Sequence, residues 1–195
     1  MFIDLTLSLS RDNPVLTRIP PPDKAPLFAA GHIGTHLDTL LHRLIPLDWM
    51  DRSGIIVDAR ASGADIGLDA IKGVAIGEGD FVFFHTGHID RYPYGSEDYF
   101  HFHPQLDWPL IETLLDKRVS FIGVDAPGLR RGREEHAKVD RICEERGAYV
   151  IENLINLGKL QAAARGRFPV RVAWIAHEGQ TGIPVKVVAS APDPV

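Results

Sequence analysis

Apolar and polar positions alternate from the start of the chain. Ile3, Leu5, Leu7 and Leu9 share one face, so residues 2–9 are predicted as a half-buried strand. Five prolines in residues 11–26 then exclude regular structure, and such a segment crosses a surface and can wall one side of a pocket. Compact apolar runs at 54–60, 81–84 and 119–124 predict buried strands, and 148–153 predicts another that runs directly into Glu152 and Asn153. Further strands are expected at 170–176 and 185–189, joined through the glycine-rich turn 179–182. Helical patterning is weak at 68–74 and 157–165. It is clearer at 109–117, which has proline in its first turn, and at 133–146, a highly charged helix with Val139, Ile142 and Cys143 on its buried stripe. Residues 45–50 are apolar and aromatic and are expected to pack under a site.

Residues 85–108 show little periodicity. They hold four of the nine histidines and three of the four tyrosines, a composition that argues against disorder. Two readings stand, a packed surface or interface segment and a substrate-covering lid.

Composition narrows the function. A chain of 195 residues with 45% hydrophobic content can bury one core, so a single domain over 1–195 is expected. A net charge of -5 without a basic tract argues against nucleic acid or a membrane surface as partner. Cys143 is the single cysteine, which fits a reducing compartment, and neither a signal peptide nor a transmembrane run is seen, so a cytoplasmic protein is expected. No repeat, nucleotide loop or serine-nucleophile elbow is present.

The candidate chemistry is concentrated in residues 32–42, H-I-G-T-H-L-D-T-L-L-H. Three histidines and an aspartate fall in eleven residues, where chance would place about half a histidine. Imidazole and carboxylate are the donors of a catalytic metal site. Gly34 and the β-branched Thr35 disfavour a helix, and an extended chain puts His36 and Asp38 on one face, able to converge on one ion. His32 would then lie about 13 Å from His36 if the chain stayed straight. Gly34 can supply the bend that brings it back.

Other candidates sit at strand ends. Asp125 follows the strand at 119–124, where sites tend to form in sheets flanked by helices. Glu152 ends an apolar strand on a carboxylate and is a strong site candidate, with helix capping or charge pairing as the alternative. Arg130, Arg131 and Arg133 read as solvated surface, or else as attraction for a carboxylate-bearing substrate. His177 reads as structural.

These motifs resemble the cyclase family of metal-dependent hydrolases, which includes bacterial-type kynurenine formamidase and isatin hydrolase. The hallmark H-x-G-T-H-x-D-x-P-x-H is matched at His32, Gly34, Thr35, His36, Asp38 and His42, with Leu40 in place of proline. The segments I-D-L-T-L-S-L-S, F-V-F-F-H-T-G, F-I-G-V-D-A-P-G, V-I-E-N-L-I-N-L and G-Q-T-G-I-P-V-K are also family-like. The resemblance implies a compact α/β fold of the swivelling β/β/α type, in homodimers or larger homo-oligomers acting on small molecules. It implies that His32, His36 and Asp38 hold a first metal, that Asp38 also contacts a second, and that His42 moves protons. Glu152 matches the family glutamate of the second metal. Its usual histidine partner twelve residues earlier is here Asp140, and His136 lies one helical turn before it, so either, or neither, completes a second site.

Taken together, the sequence leads to the expectation of an arylformamidase-like hydrolase of an amide or imide-like carbonyl. A divalent metal is expected, zinc first and manganese as alternative, as one tightly held ion with a weaker or empty second position. His42 and Glu152 are the expected catalytic residues. The rivals are a lactonase, esterase or dehydratase on the same site, a non-catalytic metal- or small-molecule-binding protein, and a redox oxygenase using His32, His36 and Asp38, which the hydrolytic resemblance disfavours.

Overall fold

Seven strands close into a ring in the computed structural model, which describes residues 1–9, 13, 15, 30–175 and 179–192. The strands are β1 (Phe2–Asp4), β2 (His36–Asp38), β3 (Asp51–Asp58), β4 (Asp65–Ile66), β5 (Phe81–His85), β6 (Gln105–Leu106), β7 (Phe121–Val124), β8 (Tyr149–Glu152), β9 (Phe168–Trp174) and β10 (Gly182–Ser190). The ring runs β10-β2-β8-β7-β5-β3-β9 and returns to β10, and β1 pairs with the far half of β10. β3, β5, β7 and β8 are mutually parallel, while the strands that close the ring are antiparallel.

Alternation along the strands divides the core in two. Phe81, Phe83, Phe121, Ile151, Val170, Val172 and Val187 point to the face that the ring encloses. Val82, Phe84, Ile122, Val124 and Val150 point outward. Two helices cover that outer face, α3 (Trp108–Asp116) through Leu110, Ile111, Leu114 and Leu115, and α4 (Arg133–Glu145) through Val139 and Cys143. Two-sided burial explains why the parallel strands are short continuous apolar runs. The α/β expectation is met, and no described helix is long and apolar enough to cross a membrane.

Several expectations need correction. The first strand stops at Asp4: the Leu5 amide still donates to Val187 of β10, but Thr6 meets Val187 only through its side chain, and residues 5 and 6 bridge on their other side to Leu154 and Ile155 beyond β8. Residues 85–108 are ordered by tertiary contacts and contain α1 (His88–Arg91) and α2 (Glu97–His101), the latter capped by the Ser96 side chain. Residues 68–74 form only a 3-10 turn, Leu68–Ile71. Within residues 45–50, Ile45 and Trp49 pack into the enclosed core against Phe121 and Tyr149, but Leu47 and Met50 face solvent. Arg130 is not solvated surface: its side chain is 15% exposed, donates to the Leu106 carbonyl and lies over the Trp108 ring. Arg131 pairs with Asp65. The last helix, α5 (Leu157–Ala163), buries Leu157 and Leu160. His177 and almost all of 11–26 lie outside the described residues.

Candidate metal centre

The pairing of β2 with β8 builds the centre. His36 lies directly across from Glu152 in an antiparallel pair, so both side chains leave the sheet on the same face, and Asp38 follows two residues later on that face. Leu37, between them, points into the enclosed core. The ligand face is therefore the outer one, where α4 packs, and α4 brings His136 and Asp140, one turn apart, over Glu152. His136 Nε2 lies 3.3 Å from both Asp140 Oδ2 and Glu152 Oε1.

The bend expected at Gly34 is present, with φ of 60°. It returns His32 to its partners: His32 Nδ1 is 3.2 Å from His36 Nε2 and 3.1 Å from Asp38 Oδ1. The strand is shorter than the extended reading supposed and ends at Asp38. His42 thus does not share its face. It is an exposed residue with φ of 54°, outside both ligand groups.

Both imidazoles are held in a defined orientation. His36 Nδ1 lies 2.9 Å from the Gly34 carbonyl, which can only accept, so Nδ1 carries the proton and Nε2 faces the carboxylates. The same carbonyl accepts from Asn153 Nδ2, while the Gly34 amide donates to Tyr94 Oη. Tyr99 donates to Asn153 Oδ1, and Thr35 Oγ1 donates to the Asn153 carbonyl. His32 Nε2 meets Thr181 Oγ1 at 2.9 Å, which leaves Nδ1 for the site. Through Tyr94, which holds the Gly34 amide, and Tyr99, which holds the Asn153 side chain, residues 85–108 brace the motif, which favours the packed reading of that segment over a free lid.

Two groups of potential ligands share Asp38, namely His32, His36 and Asp38, and Asp38, His136, Asp140 and Glu152, each with donor atoms within 4.8 Å of one another. Burial raises the Glu152 and Asp140 carboxyls well above the ordinary range, and the Asp38 charge adds to both shifts. Burial also acts on Asp38, but the charge of His36 and the close approach of the His32 and His36 imidazoles hold its carboxyl low. Three buried carboxyls this close cannot all ionise without protons or a cation to balance them. Asp38 Oδ1 and Oδ2, Asp140 Oδ1 and Glu152 Oε1 are buried without a hydrogen-bond partner. Such atoms require an explanation, and a divalent cation accepting N and O donors supplies one. The residues fit the metal.

Gly128 makes the second group possible. Its φ is 132°, and a Cβ there would lie 2.5 Å from His136 Nδ1 and 3.2 Å from Glu152 Oε1. Gly128→Ala is expected to displace His136 and weaken binding at the second position by about 10–100-fold, leaving the first position loaded. Calorimetric metal titration checks this, and unchanged affinity at both positions would remove His136 from the ligand set.

Sequence reasoning missed Thr181, Tyr94, Tyr99 and Glu144 as supports of the site. Only Glu144 carried a readable signal: it continues the 136, 140 spacing by one more turn on α4.

The comparisons agree with this geometry. The sequence matches the Cyclase family over residues 3–130. No curated protein matches it. A solved structure described as a "potential metal-dependent hydrolase with cyclase activity" is 25% identical, with a TM-score of 0.73, covering 100% of this chain and 99% of that one. A metal-dependent hydrolase, so described by prediction, from Bacillus stearothermophilus is 24% identical at a TM-score of 0.71, covering 97% of each chain. An isatin hydrolase bound to the product analogue thioisatinate is 21% identical at 0.76, covering 98% of this chain and 92% of that one.

Proposed function

We start from the fact that the chain belongs to the cyclase family, and we propose that it hydrolyses an amide or imide-like C–N bond in a small aromatic or cyclic molecule. The observation that carries this reading is the set of buried, unpartnered carboxylate oxygens converging with His32, His36 and His136. An isatin hydrolase of the same fold supports the cyclic C–N substrate. Tyr94, whose hydroxyl accepts from the Gly34 amide of the motif, fits an aromatic one.

A divalent cation held by His32, His36 and Asp38 supplies Lewis acidity, which acidifies a water and polarises a carbonyl. The chain's own groups do the rest. Asp38 is shared with Asp140, His136 and Glu152, whose harder, carboxylate-rich set suits a weaker second ion such as manganese or magnesium. Glu152, with its raised carboxyl between His36 and His136, accepts the proton that the attacking water gives up. His42 gives a proton to the leaving nitrogen as the C–N bond breaks, and its exposure lets it recover that proton from solvent. The products are a carboxylate and an amine.

Metal content of protein purified without chelator, measured with turnover of formanilide, isatin and an aromatic lactone, tests the reading. About one tight equivalent of metal with turnover of a C–N substrate is expected. Turnover of the lactone alone would move the assignment to an esterase or lactonase, and metal without any turnover would leave a binding protein.

A further inference from the structure

Glu144 is buried, 1% exposed, and takes no part in the chemistry above. It lies one turn beyond Asp140 on α4, yet its carboxylate faces a segment about a hundred residues away. Oε1 accepts from Thr39 Oγ1 at 2.9 Å and from the Arg43 amide at 2.9 Å, and Oε2 accepts from the Leu41 amide at 2.7 Å. The two amides flank His42. The Arg43 guanidinium donates to the carbonyls of Glu144 and Glu145 at the end of α4, where the helix dipole favours a cation, and Tyr149 donates to the Arg43 carbonyl. The turn that follows Asp38 is therefore fastened on three sides, while the His42 side chain between the fastenings stays exposed at φ 54°.

Three charge-assisted donors satisfy this one buried carboxylate, and all three come from the short turn around His42. They fix the backbone on either side of one imidazole. They also tie that backbone to the helix that carries His136 and Asp140. We propose that Glu144 is the positioning residue for His42, setting where its imidazole stands relative to Asp38; this rests on the reading of His42 as proton donor. Without the clasp, Thr39 to Arg43 still connects the same strands, but the imidazole samples many positions and proton delivery to the leaving nitrogen becomes rare.

The test compares Glu144→Gln, His42→Asn and the double variant on two probes: formanilide, or isatin if formanilide is not turned over, and 4-nitrophenyl acetate, whose leaving group needs no proton. Expected for Glu144→Gln is a fall in kcat on the C–N probe of about tenfold or more, KM within about threefold, and less than about threefold loss on the ester. Metal content stays unchanged. The double variant is no slower than His42→Asn alone, because both changes remove one function. Thr39→Val, which removes a single donor, gives a smaller loss with the same substrate bias and covers the case in which Glu144→Gln does not fold. Independently of activity, hydrogen exchange at the Leu41 and Arg43 amides speeds up and the His42 imidazole resonance shifts.

Equal losses on both probes, additive losses in the double variant, or unchanged exchange and resonance in Glu144→Gln would each overturn the proposal. If His42→Asn loses turnover and Glu144→Gln and Thr39→Val do not, the clasp falls and the proton donor stands. If His42→Asn keeps full turnover, the proton-donor reading falls and the positioning role falls with it.

Discussion

Asp38→Ala protein is expected to purify without bound metal and without hydrolytic activity, while keeping its fold. Asp38 is the one side chain common to both ligand groups, so its removal leaves two imidazoles in one and weakens the other at the same time. The fold tolerates the change because Asp38 is a burden to the metal-free chain: it is a buried carboxylate whose charge pushes the Asp140 and Glu152 carboxyls upward, and only the His32 and His36 imidazoles offset it. Thermal unfolding with and without a chelator makes the point measurable. Chelation lowers the Tm of the wild type, since metal binding to the native state is folding free energy, and leaves that of Asp38→Ala unmoved. Stoichiometric metal in the variant would sink the ligand assignment. His36→Ala is expected to behave in the same way, with the additional loss of the contact to Gly34.

His42→Asn is expected to keep its metal and lose about 10²–10⁴-fold in kcat on a C–N substrate, the range typical of a missing proton donor. Asparagine is chosen over alanine because position 42 has a left-handed backbone, which asparagine tolerates and alanine resists by roughly 1–2 kcal/mol. A loss seen with asparagine is thus chemical rather than conformational. Unchanged kcat at unchanged metal content would leave His42 as an exposed turn residue without a part in the reaction.

The sequence was informative wherever the physics is local. Apolar runs at 81–84, 119–124 and 148–153 became the parallel strands β5, β7 and β8, because two-sided burial leaves no polar alternation to confuse them. Gly34 between two histidines announced its bend, and His36 and Asp38 share a face as an extended chain requires. The fold class came from the family motif, since the periodicity fits several α/β arrangements equally well. What failed was long-range. The backbone on either side of His42 is held by Glu144, and the bridge that residues 5 and 6 form beyond β1 is set by Leu154 and Ile155. Helices α1 and α2 are four and five residues long, too short for periodicity to register, and their place is set by Tyr99 reaching Asn153. Arg130 looked like surface because a charge count cannot see the Leu106 carbonyl and the Trp108 ring that receive it.

The double pairing of β10 has a consequence for synthesis. His32, His36 and Asp38 are translated well before Gly182–Pro184, from which β2 takes one of its two hydrogen-bonded edges, and before Thr181, from which His32 takes its orientation. Glu152 and α4 also emerge long after the motif. A nascent chain displays the histidines before the strands around them are complete, and their surroundings close only when β10 is threaded between β2 and β9. Such late, distant pairing slows folding. It also sets the closing of the candidate metal centre late in folding, after the strands that carry its histidines and carboxylates have been made.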